Sequence, residues 1–174
     1  MKYNGIDLNS EISISGITYS SAVDGVGFRD VLFVNYCPHH CDGCHNPETW
    51  DKANGRIVTL QSVYEDLTKS GLTNITFSGG EPFEQARELA FLAKYIRENH
   101  GKNFWVYSGY TFEQIIADPE KKVLLEQCDV LVDGRFEKNN RQQNMRFRGS
   151  LNQRIIDIKK SLETGEVVLY DLDW

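Results

Sequence analysis

The sequence predicts an α/β protein, built as a partial (β/α) barrel or an open, curved, mostly parallel sheet with helical crossovers. Three observations support this. Short apolar runs alternate with segments of helical periodicity. Polar or glycine-rich motifs follow the apolar runs, where such sheets gather their binding groups. The chain has 174 residues, enough for one domain but short of the ~250 typical of a closed eight-stranded barrel. Residues 1–174 are therefore read as a single domain, with 1–30 a mixed N-terminal extension packed on it.

The elements follow in order. Ile12 and Ile14 alternate with polar neighbours, as in a short strand or extended arm. Val31-Leu32-Phe33-Val34 is a continuous apolar run, as in a strand buried on both faces. An irregular loop follows, broken by Pro38, Gly43 and Pro47, and extends to about Arg56. Thr59 opens a helix whose inner face is Leu60, Val63, Tyr64 and Leu67, and Gly71 ends it. Asn74–Phe77 is a strand that stops at Ser78-Gly79-Gly80-Glu81-Pro82. A helix over 84–99 faces inward with Ala86, Leu89, Ala90, Ala93 and Ile96, and Gly101 closes it. Phe104–Tyr107 is the next strand. Thr111 and Gln114 have capping-box spacing, and Asp118-Pro119 marks a second helix start. Asp129–Asp133 is a strand that Gly134 ends, Ile155–Ile158 another, and Val167–Tyr170 the last.

Net charge is -6, from 25 acidic and 19 basic residues, so the overall field works against nucleic-acid binding. The densest basic stretch (Arg135, Lys138, Arg141, Arg146, Arg148) suits an anion or a partner surface. No stretch approaches the ~20 apolar residues of a membrane span. The opening Met1-Lys2-Tyr3-Asn4-Gly5 lacks the apolar run of a secretory signal, which gives an expectation of cytoplasmic location with reduced thiols.

Cys37, Cys41 and Cys44 fall within eight residues and run on into His45 and Asn46. Three thiolates on an iron–sulfur cube leave one iron without a protein ligand, and chemistry can occur there. Zinc is the rival, because His45, His39 or His40 would complete a Cys3His set. Either group can also serve only as a staple for the loop. The single strand-following loop, at the binding end of the sheet, favours a catalytic cluster. Cys128, ahead of an apolar strand, reads as a small buried hydrophobe.

The motif Cys37-Pro38-His39-His40-Cys41-Asp42-Gly43-Cys44 resembles that of the radical S-adenosylmethionine enzymes. The resemblance implies that Cys37, Cys41 and Cys44 hold a [4Fe-4S] cluster whose open iron binds S-adenosyl-L-methionine. It also implies one-electron cleavage to methionine and a 5′-deoxyadenosyl radical, with no catalytic side chain. Three further runs are similar to the branch that activates anaerobic ribonucleoside-triphosphate reductase. They are Cys41 through Trp50, Asp133-Gly134-Arg135-Phe136, and Arg148-Gly149-Ser150-Leu151-Asn152-Gln153-Arg154. That similarity extends from about Ile12 to the end of the chain. It implies a glycyl-radical activase whose partners are the reductase and a flavodoxin-like electron donor. Activation of a formate-lyase type of glycyl-radical enzyme, or a non-catalytic zinc-stapled interaction module, is the alternative.

The same resemblance assigns the remaining candidates. Ser78, Gly79, Gly80 and Glu81 match the Gly-Gly-Glu motif that binds the cofactor's amino group; the plain reading is a tight turn with Glu81 in the first helical turn. Gly43 stands where the wider superfamily often has an aromatic residue, which leaves adenine stacking to Tyr36 or His45, or leaves it out. Ser108 and Asp133 suit the ribose hydroxyls or the cofactor carboxylate, although Asp133 can equally bond loop amides. Arg148 suits a carboxylate clamp or a surface salt bridge. Trp50 is a cover for the cluster or a partner contact. Tyr170 and Trp174 are candidates for docking on the body or on a partner.

Overall fold

The computed structural model describes residues 3–172; Trp174 lies outside the described residues. Seven strands form one open sheet. They are β1 (Glu11–Ser21), β2 (Arg29–Val34), β3 (Arg56–Thr59), β4 (Asn74–Gly79), β5 (Phe104–Tyr107), β6 (Val130–Asp133) and β7 (Arg154–Asp157), in the spatial order β3-β1-β2-β4-β5-β6-β7. The central four, β2, β4, β5 and β6, are parallel. Both flanks are antiparallel: β1 pairs with β2 and β3, and β7 pairs with β6.

Register sets the site. Val34 lies opposite Gly79, and Tyr107 opposite Val132. The chain therefore leaves β2, β4, β5 and β6 at one common edge, so the cysteine loop and the motifs after the other three strands start at one level.

Among the described residues, α1 (Leu60–Thr68), α2 (Ala86–His100), α3 (Phe112–Ile116) and α4 (Pro119–Leu125) carry the crossovers, and α5 (Ile158–Thr164) follows β7. Their ends are written in side chains. Thr59 Oγ1 accepts from Ser62 N at 3.1 Å. Thr111 and Gln114 form a reciprocal capping box. Asp118 caps α4, with Pro119 in its first turn. Gly101 ends α2 at a φ of 66°, a left-handed position that glycine adopts without strain.

The main core lies on the helix-covered face. Leu32, Val34, Ile75, Phe77, Phe104, Val106 and Leu131 meet Leu60, Val63, Leu67, Leu89, Leu92, Ile96 and Ile115. The opposite face holds a smaller cluster of Trp105, Val130, Val132, Phe147 and Ile155, covered by Tyr170 and Leu172. Tyr170 packs edge-on against Trp105 with ring centroids 5.5 Å apart, so it docks on the body of the protein.

Four features depart from the sequence reading. The loop after β2 ends in an extra strand, β3, which pairs with β1. The extended arm at Ile12 and Ile14 is an eleven-residue strand inside the sheet. β7 ends at Asp157, short of the expected Ile158, because the Asp157 side chain caps α5, accepting from Lys160 N at 3.0 Å. The segment at Val167–Tyr170 makes a single bridge, Leu169 to Ile156, because Ser161 Oγ takes the Val168 N–H at 2.8 Å.

Candidate cofactor site

The cysteine loop leaves β2 through a sharp turn. Tyr36 adopts a φ of 80°, its N–H donates to Thr49 O at 2.7 Å, and its carbonyl accepts from Glu81 N at 2.8 Å. This reverses the chain so that Cys37, Cys41 and Cys44 all line one cleft of about 190 Å³. Gly43, at a φ of 75°, provides the turn between the last two cysteines. A Cβ there would come within 3.3 Å of Lys138 and 3.4 Å of Phe136, which pack over the loop.

The facing wall is largely main chain. Ser78, Gly79 and Gly80 line it from the end of β4, and Ser108 and Gly109 from the end of β5. Gly134 and Gly149 extend it. A Cβ on Gly79 would fall 2.6 Å from Val34 N, and one on Gly80 2.4 Å from Tyr36 O, so only glycine lets these turns approach the cysteine strand. His45, Phe136 and Tyr107 form the aromatic rim, with His45 edge-on to Phe136 at 5.4 Å.

The thiols respond to this enclosure. Burial pushes Cys37 up to about 11, and burial likewise raises Cys41. Unliganded, these sulfurs keep their protons; a bound metal centre supplies the positive charge that displaces them. The donor set fits an iron–sulfur cluster with one open corner. Three soft sulfurs share one cleft, and the fourth cysteine, Cys128, is buried in the apolar core. Among the described residues, no three of His, Cys, Asp and Glu converge on a position for a single metal ion. His39 is already bonded to Glu81 at 2.7 Å, and His40 stacks on Trp50 at 4.7 Å, outside the cleft.

Four expected binding residues sit elsewhere. Tyr36 turns its ring outward, beneath the Lys52 ammonium at 4.6 Å. Glu81 is 0% exposed, and its carboxylate is taken up by the protein itself. Asp133 accepts from Phe112 N at 2.8 Å and Arg154 Nη2 at 2.6 Å, bonds within the protein. Arg148 donates to the carbonyls of Leu151 (3.3 Å) and Gln153 (2.8 Å) and lines a neighbouring depression with Lys138 and Arg141. Glu81 and Asp133 are claimed by partners from other elements, Tyr36 and Arg148 by groups of their own loops.

Gln153, which the sequence placed in the Arg148–Arg154 motif without a specific site role, lines the cleft. Its Oε1 accepts from Gly149 N at 2.8 Å and Ser150 N at 3.1 Å, and its Nε2 donates to Gly134 O at 2.9 Å. It thereby folds the 134–153 loop over the cleft. Its place in the motif Arg148–Arg154 was the available signal.

Comparison with known proteins agrees with this geometry. Residues 23–156 match the family model described as a 4Fe-4S single cluster domain. The chain is 37% identical over 139 residues to the anaerobic ribonucleoside-triphosphate reductase-activating protein of Enterobacteria phage T4, covering 76% of this chain and 86% of the relative. It is 36% identical over 139 residues to the protein of that name from Vibrio cholerae (75% and 88% covered). The Escherichia coli K12 protein of that name is 34% identical over 139 residues (75% and 89%).

Proposed function

We propose that this chain, which belongs to the family of anaerobic ribonucleoside-triphosphate reductase-activating proteins and carries a 4Fe-4S single cluster domain, uses S-adenosylmethionine to generate a radical on a glycine of that reductase. Cys37, Cys41 and Cys44 would hold a [4Fe-4S] cluster, which would supply the electron for reductive cleavage of S-adenosylmethionine and, through it, removal of the glycine hydrogen. The residues themselves hold, orient and shield.

Cys37, Cys41 and Cys44 are the cluster ligands in this reading, with Gly43 shaping their turn. Ser78, Gly79, Gly80 and Ser108 bound the opposite side, where main-chain carbonyls suit an ammonium group. His45 and Phe136 shield the rim, and keeping water out protects a reactive carbon and strengthens the local electrostatics. No acid–base pair is needed, because the work is to bring two atoms within a near-attack distance of about 3–3.5 Å.

The observation that carries the reading is the cleft itself: three thiols on one side, glycine main chain on the other, and no fourth cysteine lining it. The glycine-bearing reductase is the assigned partner, a flavodoxin-like protein the electron donor, and the cytoplasm the compartment. No helix among the described residues is long and apolar enough to cross a membrane.

The test is anaerobic. Protein purified without oxygen, reduced and given S-adenosylmethionine should release 5′-deoxyadenosine, and adding the reductase should give a glycyl radical in its electron paramagnetic resonance spectrum. A colourless protein holding one tightly bound zinc, with no 5′-deoxyadenosine formed, would overturn the proposal.

A further inference from the structure

We propose that His39 is a positioning residue: through Glu81 it ties the cysteine loop to the turns after β4 and β5 that form the other wall of the cleft. The inference rests on the cofactor reading above.

The geometry is a four-way tie on one carboxylate. Glu81 Oε1 accepts from His39 Nε2 at 2.7 Å, Ser108 Oγ at 2.8 Å and Gly109 N at 2.8 Å. Glu81 Oε2 accepts from Phe83 N at 3.0 Å. Main-chain N–H groups point at both oxygens, so the carboxylate is the acceptor and Nε2 carries the hydrogen. With three donors on Oε1 and no exposed surface, Glu81 has no free face to offer an ammonium group. Its effect on a ligand passes through the groups it holds.

His39 is the group that reaches the cysteines. It lies between Cys37 and Cys41, and its side chain is 3% exposed. One side of the ring is pressed so closely to Gly109 that a Cβ there would sit 2.4 Å from Cδ2. Tyr110 packs edge-on at 4.5 Å. Fixing this ring fixes the main chain of the first two ligands relative to Gly79 and Gly80. That offset sets where a ligand on the cluster's open corner lies against the glycine wall. Losing the tie leaves three thiols able to hold a cluster but loosens the second half of the site.

Two variants separate these roles. In His39→Leu, Glu81 keeps its other donors. The variant should retain wild-type iron and sulfide content, yet form 5′-deoxyadenosine about 10–100-fold more slowly, the range seen when an outer-shell partner of a metal ligand is removed. The electron paramagnetic resonance change caused by adding S-adenosylmethionine to the reduced cluster should be diminished. His39→Gln, whose amide N–H can reach the same oxygen, should recover most of both signals. A leucine variant with wild-type turnover and spectrum overturns the proposal, as does a glutamine variant no better than leucine. If the leucine variant does not fold, the glutamine variant decides alone: turnover near wild type supports the tie, and turnover at background overturns it. A wild-type protein that forms no 5′-deoxyadenosine overturns the cofactor reading and the tie together, whereas an active wild type matched by an equally active leucine variant overturns the tie alone.

Discussion

The two ends of the parallel strands bury charged side chains, and one at each end, Glu81 and Arg29, is used in the opposite way. At the carboxyl ends, Glu81 is fully enclosed; at the amino ends, Arg29 is 1% exposed. Arg29 donates to Thr76 Oγ1 at 2.8 Å, Val26 O at 2.9 Å, Ile75 O at 2.8 Å and Asn103 Oδ1 at 2.6 Å, and lies over Trp105 at 5.6 Å. Burial pushes the guanidinium down to about 10, so it stays charged at neutral pH. Its long fork draws the 22–28 turn shut: a Cβ on Gly25 would meet Arg29 Cδ at 2.7 Å and Trp105 Cδ2 at 2.8 Å. Glu81, a short acceptor, pins its neighbours at their bases and leaves the cleft beside them open. A branched donor closes an end of the sheet, and a compact acceptor braces one that must admit a ligand.

Substitution at the closed end should have the largest effect on stability. Arg29→Met leaves several buried acceptors unpaired and should cost about 3–5 kcal/mol. Thermal unfolding would then fall by roughly 10 °C, with iron content of the folded protein unchanged. A stable Arg29→Met protein that loses its cluster would break the comparison.

A matched pair of glycines comes next. Gly25→Ala and Gly109→Ala both place a carbon within 3 Å of a neighbour, and each should cost about 1–3 kcal/mol. Only Gly109→Ala presses on His39, so it alone should also slow 5′-deoxyadenosine formation per folded molecule. Equal loss of activity in both would erase the distinction between the ends.

Cys128→Ala is expected to cost about 1 kcal/mol as a small core truncation, with an unchanged cluster spectrum. Altered iron content would show that this thiol communicates with the site.

The smallest effect belongs to the half-exposed pair Glu113–Arg154, at 2.8 Å. The Arg154 guanidinium holds the Glu113 carboxyl below its usual range. Its contribution is therefore present above the unfolded carboxylate pKa and is lost as pH falls through the lowered folded value. Glu113→Gln should cost about 0.5 kcal/mol near neutrality, and its melting difference from wild type should close below about pH 4. A difference that persists in acid would rule out the charge as its cause.

Where the sequence was informative, the signal was local. The periodicity of α2, the caps at Thr59, Thr111 and Asp118, and the cysteine spacing each lie within a few adjacent residues. What it hid depends on distant partners. Arg56–Thr59 is a strand only because β1 offers an edge. The antiparallel direction of β7 is set by the path of the 134–153 loop, and strand direction leaves no mark on Ile155 and Ile156. Glu81 reads as a ligand from its motif alone, and becomes a tie only once His39 and Ser108 arrive from neighbouring strand ends. The same applies to Asp133, claimed by Arg154 from β7.

The glycine wall has a consequence for how this protein tolerates change. A boundary made of peptide groups offers no side chain to delete. Substitution by alanine there instead adds a carbon, which at Gly79, Gly80 or Gly109 falls within 3 Å of Val34, Tyr36 or His39 and pushes a wall out of place. A saturation library sorted for function should show those three positions accepting no replacement, beside aromatic rim positions that drift among several. The 134–153 loop is restricted in turn, because Phe147 packs on Trp105 and Gln153 ties Gly149 to Gly134.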